Sequence, residues 1–330
     1  MRRDAPDTGR RRVVGALALA LVSVARAQSA TPPRVGILIA ETVADQRTRL
    51  TALTAGLADL GYVDGRTVTL EIRAADGRYE RLPALARELV ERKVAVLVAF
   101  GVKALVAAHQ ATTRVPIVIP FTTSDPVAMG VIGDLKSPTR NVTGTVTFGP
   151  ELMAKRLELL GDLMAGIDRV AILRNPANAS FGPTLEKLQE AARRLHMQLA
   201  TFDVRSAAEV DGAVAAIARA RMEAVLLQGD TLLAANARRI AQQCAQRRLP
   251  SVGSQEYAAA GGLLGYGANE AALYRRGAYF VDRLLKGARP GDLPIEQATT
   301  FELVVNQRTA TALDLRIPQA LRIRADTTIE

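Results

Sequence analysis

Six short segments of this chain concentrate the side chains able to hold a small molecule. They contain Glu41; Gly101, Val102 and Lys103; Thr123, Ser124 and Asp125; Asn175, Asn178 and Ser180; Asp230; and Ser254, Glu256 and Tyr257, with Tyr266 a little further on. Hydroxyls, carboxamides and carboxylates grouped in this way donate and accept hydrogen bonds, which suits them to orient a small polar solute. They do not spell out bond-making chemistry. The chain has no GxSxG elbow, no GxxxxGK[ST] loop and no HExxH pair, so no catalytic residue is assigned and an enzyme is not the expected reading. The same residues have ordinary structural uses. Ser124 and Asp125 ahead of Pro126, and Asp230, are of helix-capping types, Asn175-Pro176 is a turn signal, and Glu256 and Tyr257 suit a solvated surface. Lys103 opposes the helix dipole at a helix start, which points toward pairing with an anion.

Cofactor chemistry finds little support. Cys244 is the single cysteine and His109 and His196 are the two histidines, too few for a His/Cys metal site or an internal disulfide. Neither a cofactor nor a metal is expected. There is no Trp among the aromatics, only seven Phe and six Tyr, which removes an indole platform for sugars and leaves Phe121, Tyr257 and Tyr266 as candidate apolar contacts.

The elements that must position these residues follow from hydrophobic pattern. Short β-branched runs at 35–40, 68–72, 94–100, 117–119, 170–173, 199–203 and 224–228 alternate with helical stretches, the signature of parallel sheets covered by helices. Apolar residues three and four apart mark the helices, as in Leu50, Leu53, Leu57 and Leu60, or Leu82, Leu85, Leu89 and Val90. A helix over 234–247 holds Cys244, another spans 270–286, and a last strand covers 301–305. In open parallel sheets, ligands bind beyond the carboxyl ends of the strands, near helix N-termini. The six segments sit at those ends.

The pattern is written twice. RVGILI at 34–39 answers RVAIL at 169–173, and AVLVAFG at 95–101 answers AVLLQGD at 224–230. The paired segments between and after them keep an offset of roughly 130–135 residues. Two lobes of similar α/β build, with parallel sheets flanked by helices, are therefore expected, facing each other across one cleft. The length of 330 residues suits two cores.

The first 27 residues stand apart. Arg10, Arg11 and Arg12 precede the apolar run VVGALALALVSV and then Ala25-Arg26-Ala27, the n-region, h-region and cleavage pattern of an export signal. Either the general secretory or the twin-arginine route fits, and both lead to the periplasm. Removing its six Arg and two Asp from a net charge of +10 leaves +6. No Lys/Arg block interleaved with aromatics points to nucleic acid, and no later stretch is apolar enough to span a membrane.

Longer motifs carry a resemblance. FGVKALVAAHQATTRVPIVIPFTTSDPVAMGVI, KRLELL at 155–160, RVAILRNPANAS, EYAAAGGLLGYGAN at 256–269 and VDRLLKGARPGDLPIEQATTFELVVNQRTATALDL resemble the ABC-transporter substrate-binding proteins related to the tryptophan-binding component. The resemblance runs from about residue 34 to the C-terminus. It implies a type I periplasmic binding protein fold with three interlobe crossings, a first lobe of 34–147 plus about 268–297, and a second of 148–267 plus about 298–330. It also implies capture of a solute and its delivery to an ABC permease in the inner membrane, with hinge closure and a monomeric chain expected. The loop hydroxyls and amides, helix N-termini and Lys103 or Arg174 suit a small polar molecule, an amino acid or carboxylate. Val102-Lys103 and Arg174 depart from the family pattern, and both would bring cations toward the cleft. An alternative role is that of a ligand-sensing extracytoplasmic partner of a signalling protein; an enzyme on the same scaffold has less support.

Overall fold

The computed structural model describes residues 31–127, 129–136, 141–147, 149–178 and 181–330. The expected leader at 1–27 and Ser180 lie outside the described residues. The chain opens with β1 (Arg34–Ile39), α1 (Arg47–Asp59), β2 (Thr69–Ala74), α2 (Leu82–Glu91), β3 (Val96–Phe100), α3 (Val102–Ala111), β4 (Ile117–Thr122) and β5 (Val142–Val146). After α4 (Gly149–Leu163) come β6 (Arg169–Arg174), α5 (Phe181–Leu195), β7 (Gln198–Asp203), α6 (Val210–Arg219) and β8 (Ala224–Leu227). Next are α7 (Thr231–Ala235), α8 (Ala237–Gln246), β9 (Ser251–Gly253), α9 (Gln255–Ala259), β10 (Leu264–Gly267) and α10 (Glu270–Leu285). The tail contributes β11 (Glu296–Gln297), β12 (Glu302–Asn306), α11 (Gln307–Ala312), α12 (Gln319–Arg324) and β13 (Thr327–Ile329).

The strands form two sheets. One runs β2-β1-β3-β4-β5-β11 and the other β7-β6-β8-β9-β10-β12-β13. The leading five strands of each follow the same order, as the duplicated pattern requires. All pairings are parallel except β10 with β12. The chain passes from the first sheet to the second before α4, returns after β10, and leaves again between β11 and β12, which makes three crossings.

Apolar runs are continuous in β1 and β3 because helices cover both faces of the sheet. Alternate residues of one strand feed two cores. Val35, Ile37 and Ile39 meet Leu53 and Leu57 of α1 on one face, while Leu38 faces Leu89 and Leu105 on the other. The second sheet divides likewise, Val170 and Ile172 packing toward α4 and α5 and Ala171 and Leu173 toward α6 and α8. Helix α10 follows the second sheet in sequence yet packs on α1 and β4 of the first, where Tyr274 lies 4.8 Å from Phe100, ring to ring.

Two departures from the pattern have local causes. The helix expected over 234–247 is interrupted at Asn236, which ends α7 and begins α8; its Nδ2 donates to the carbonyl of Leu232 at 2.9 Å. A carboxamide that bonds its own backbone in this way competes with helix continuation. Strand β5, with the sequence VTGTV, has all five residues buried, but two threonines and a glycine hide it from a hydrophobicity reading.

Candidate functional site

The carboxyl ends of β1, β3 and β4 face those of β6, β8, β9 and β10, and between them lies a cleft of about 830 Å³, counting the mouth that opens to solvent. Of the residues singled out from the sequence, Gly101, Val102, Thr123, Ser124, Asn178, Asp230, Ser254 and Tyr257 line it. Glu41, Lys103, Asp125, Asn175, Glu256 and Tyr266 lie outside the lining. Arg49, Arg156, Glu270 and Tyr274 are in it without having been anticipated.

Asp230 caps a helix and stands in the wall of the cleft. Its Oδ1 accepts from the backbone N–H of Leu232 at 2.9 Å, capping α7, and from Asn175 Nδ2 at 3.1 Å. Its Oδ2 accepts from Asn178 Nδ2 at 3.0 Å. These donors hold a carboxylate at the cleft wall in a fixed orientation. Ser254 caps α9 through Tyr257 N, and the buried Tyr257 hydroxyl donates to Ser251 Oγ at 2.7 Å. Asp125 accepts from the N–H of Val127 at 2.8 Å, which explains its position outside the lining.

The two lobes touch at one rim of the cleft. Thr231 Oγ1, on the second lobe, donates to Glu41 Oε1 at 2.8 Å, and Tyr79 OH donates to the same oxygen at 3.1 Å. Thr123 Oγ1 donates to the carbonyl of Gly229 at 3.5 Å. Lys103 does not reach into the cleft. Its Nζ is buried without an acceptor among the described residues and stands 3.3 Å from the centre of the Tyr79 ring, a cation–π arrangement. Burial pulls its pKa down, with the charges of Asp230 and Glu41 acting the other way. Arg174, the second cation expected near the ligand, pairs instead with Asp203 at 2.9 Å and lies 5.1 Å from the Phe181 ring centre.

A second charged group lines the cleft. Arg49 gives Nε and Nη2 to Glu270 Oε2 at 2.8 and 2.5 Å and Nη1 to Gln46 at 2.9 Å. Burial opposes the Arg49 charge, but Glu270 more than restores it, and the net shift is upward. Near this pair, Glu256 is pushed above the ordinary carboxylate range, by burial first and then by the neighbouring charge of Glu270. Its Oε2 has no partner among the described residues.

Glu41, 3% exposed, is raised from 4.5 to about 7, chiefly by burial; Asp230 adds to the shift, while Thr231, Tyr79 and Lys103 oppose it. Between those values the folded chain holds a proton that the unfolded chain has released, so the contribution of Glu41 makes stability fall as pH rises from about 4.5 to about 7 and level off above. The span corresponds to about 3 kcal/mol. Glu41→Gln removes this portion of the slope while Glu256, raised in the same direction, retains its own. Denaturant unfolding at pH 5 and pH 8 measures the difference, and an unchanged slope in the variant contradicts the assignment.

The arrangement offers fixed donors, acceptors and one ion pair, the equipment for holding a solute. Among the described residues no helix is long and apolar enough to cross a membrane. A model of the family described as ABC transporter substrate binding protein matches residues 42–329. A tyrosine-binding protein of Clostridioides difficile (strain R20291) is 23% identical over 270 residues, covering 79% of this chain and 74% of the relative. Among solved structures, a conserved domain protein from Vibrio cholerae O1 biovar eltor str. N16961 superposes with a TM-score of 0.83 at 25% identity, over 90% of this chain and all of that one. An ABC domain from Streptococcus pneumonia in complex with L-Trp gives 0.81 at 22% identity, over 89% of this chain and all of that one. The fold class expected from the duplicated pattern is the one observed.

Proposed function

From the chain's membership in the ABC transporter substrate-binding protein family, we propose that it captures a small polar solute outside the cytoplasm and presents it to an ABC permease in the inner membrane. The observation that carries this reading is the cleft, lined from both lobes by fixed hydrogen-bonding groups and closed at one rim by the contact of Glu41 with Thr231. Residues 34–147 with 268–297 form one moving body and 148–267 with 298–330 the other. Closure follows because a ligand between them makes contacts with both that are absent when they part, and its differential affinity shifts the equilibrium.

Thr123, Ser124, Asn178, Asp230, Ser254 and Tyr257 are among the side chains that meet the ligand. The bound L-Trp of the streptococcal structure and the name of the clostridial relative are both α-amino acids, which supports an amino acid or related carboxylate. The basic, apolar N-terminal segment directs export, and the mature chain acts as a monomer.

Native mass spectrometry of the mature protein, purified without refolding, tests this directly. A stoichiometric small-molecule adduct that is lost on denaturation is expected. A protein that carries no adduct, and whose melting temperature does not move with any amino acid, carboxylate, amine or sugar, contradicts the reading.

A further inference from the structure

The motif KRLELL sits in α4, the helix that carries the chain into the second lobe, and it delivers Arg156 to the cleft. Arg156 is 3% exposed; among the described residues no other Lys or Arg is so buried. Its Nε donates to the carbonyl of Tyr266 at 2.8 Å and its Nη1 to the carbonyl of Leu227 at 3.4 Å. These acceptors lie on β10 and at the end of β8, so the guanidinium is held in place by neutral backbone. No carboxylate pairs with it among the described residues, and none accepts from its Nη2. That nitrogen stands 3.4 Å from where a Cβ on Gly267 would be, and Gly267 itself lines the cleft.

Arg49 makes the contrast. It lines the same cleft, but Glu270 already occupies its fork. Burial lowers the Arg156 pKa to about 10, with the charges of Glu270 and Glu256 acting the other way, and it stays charged at neutral pH. A desolvated guanidinium with no carboxylate bonded to it is only partly compensated by charges at a distance, and its flat fork matches a carboxylate edge to edge. An anion arriving from solution therefore gains a pairing that the empty protein lacks.

We propose that Arg156 receives the carboxylate of the captured molecule and that the protein selects small carboxylate-bearing solutes over neutral or purely cationic ones of similar shape. This rests on the reading of the cleft as the capture site. It names the anchoring residue and the group it recognises.

The first test needs no variant. Binding of L-tyrosine, 4-hydroxyphenylpropionate, benzoate and the other standard amino acids to the wild-type protein is measured by calorimetry, beside tyramine, the amino-acid amides and a set of neutral sugars. Every ligand that binds is expected to carry a carboxylate, and its amide or decarboxylated counterpart to bind about 100-fold more weakly or worse. In a second arm, Arg156→Met, checked for folding by its melting curve, loses a comparable factor, while Arg156→Lys, which keeps the charge without the fork, loses less. A counterpart lacking the carboxylate that binds within a few-fold, or a folded Arg156→Met that keeps wild-type affinity, overturns the inference and leaves the capture function standing. So does binding of a sugar or an amine with no carboxylate bound. A protein that binds nothing in the whole set loses both.

Discussion

Oxidised Gly101→Cys/Thr231→Cys is expected to lock the cleft. A Cβ built on Gly101 lies 3.6 Å from the Cβ of Thr231 on the other lobe, within the span that a disulfide bridges. The rim threonine that crowds Gly101 in the native chain, Cγ2 at 2.6 Å from that position, is removed by the same change. Gly101 has a φ of +87° and a ψ of 165°, a conformation nearly reserved for glycine, so a side chain there costs roughly 1–3 kcal/mol. The native Cys244 is buried, with its thiol pKa pushed up to about 12 by burial, and does not compete for pairing.

Ligand captured before oxidation should then exchange more than about 100-fold more slowly, because release waits on reduction of the bond instead of a hinge motion of microseconds to milliseconds. Empty protein oxidised first should bind nothing, and a reductant should restore normal exchange in both cases. Isotope-labelled ligand followed by mass spectrometry reads this out. If the oxidised variant, with its disulfide verified, takes up and releases ligand as fast as the reduced one, entry does not depend on parting the lobes at this rim.

Gly144→Ala should abolish stable folding. Gly144 lies in the middle of β5 with a φ of +140°, and a Cβ there would stand 1.9 Å from the carbonyl oxygen of Ile119 on β4. The two strands pair as far as Ile119 opposite Gly144 and then slip register before Thr122, so backbone occupies the space a side chain needs and cannot withdraw without breaking the ladder. A loss of about 4 kcal/mol or more is expected, a large part of the total stability of a typical domain. Gly212→Ala is the control. Gly212 sits on the exposed side of α6 with nothing near its added methyl, and the substitution should stabilise by up to about 1 kcal/mol. Urea midpoints give both values. A Gly144→Ala protein that unfolds at the wild-type midpoint would mean that β4 and β5 do not pair in this register.

How much of this was legible in the sequence depended on the kind of information required. The runs of β1, β3, β6 and β8 announced themselves because parallel strands buried on both faces must be apolar at every position. Their repetition at a constant offset announced two similar lobes, and the lobes placed the strand-end loops across from one another. Segments whose burial rests on small or polar residues stayed hidden: VTGTV of β5 and LGYG of β10 carry too little apolar character to stand out. The break at Asn236 depends on one side chain bonding to its own helix, which an apolar periodicity does not register.

Within the site the division is sharper. Sequence order told which loops end strands, and so brought Gly101, Thr123, Asn178, Asp230 and Ser254 to the right edge. It did not tell which side chains turn inward. Lys103 lies over Tyr79, Arg174 turns to Asp203, and Tyr266 contributes a carbonyl while its ring stacks on Phe301 at 6.1 Å. Arg49 and Glu270 meet across 221 positions of chain, and Arg156 reaches Tyr266 across 110. A residue's type and spacing determine the element it joins and the face it favours, because those are short-range consequences of backbone geometry. Which charges meet, and which one is bonded only to backbone carbonyls in the cleft, is set by the three crossings and by strand register, and only the folded chain contains them.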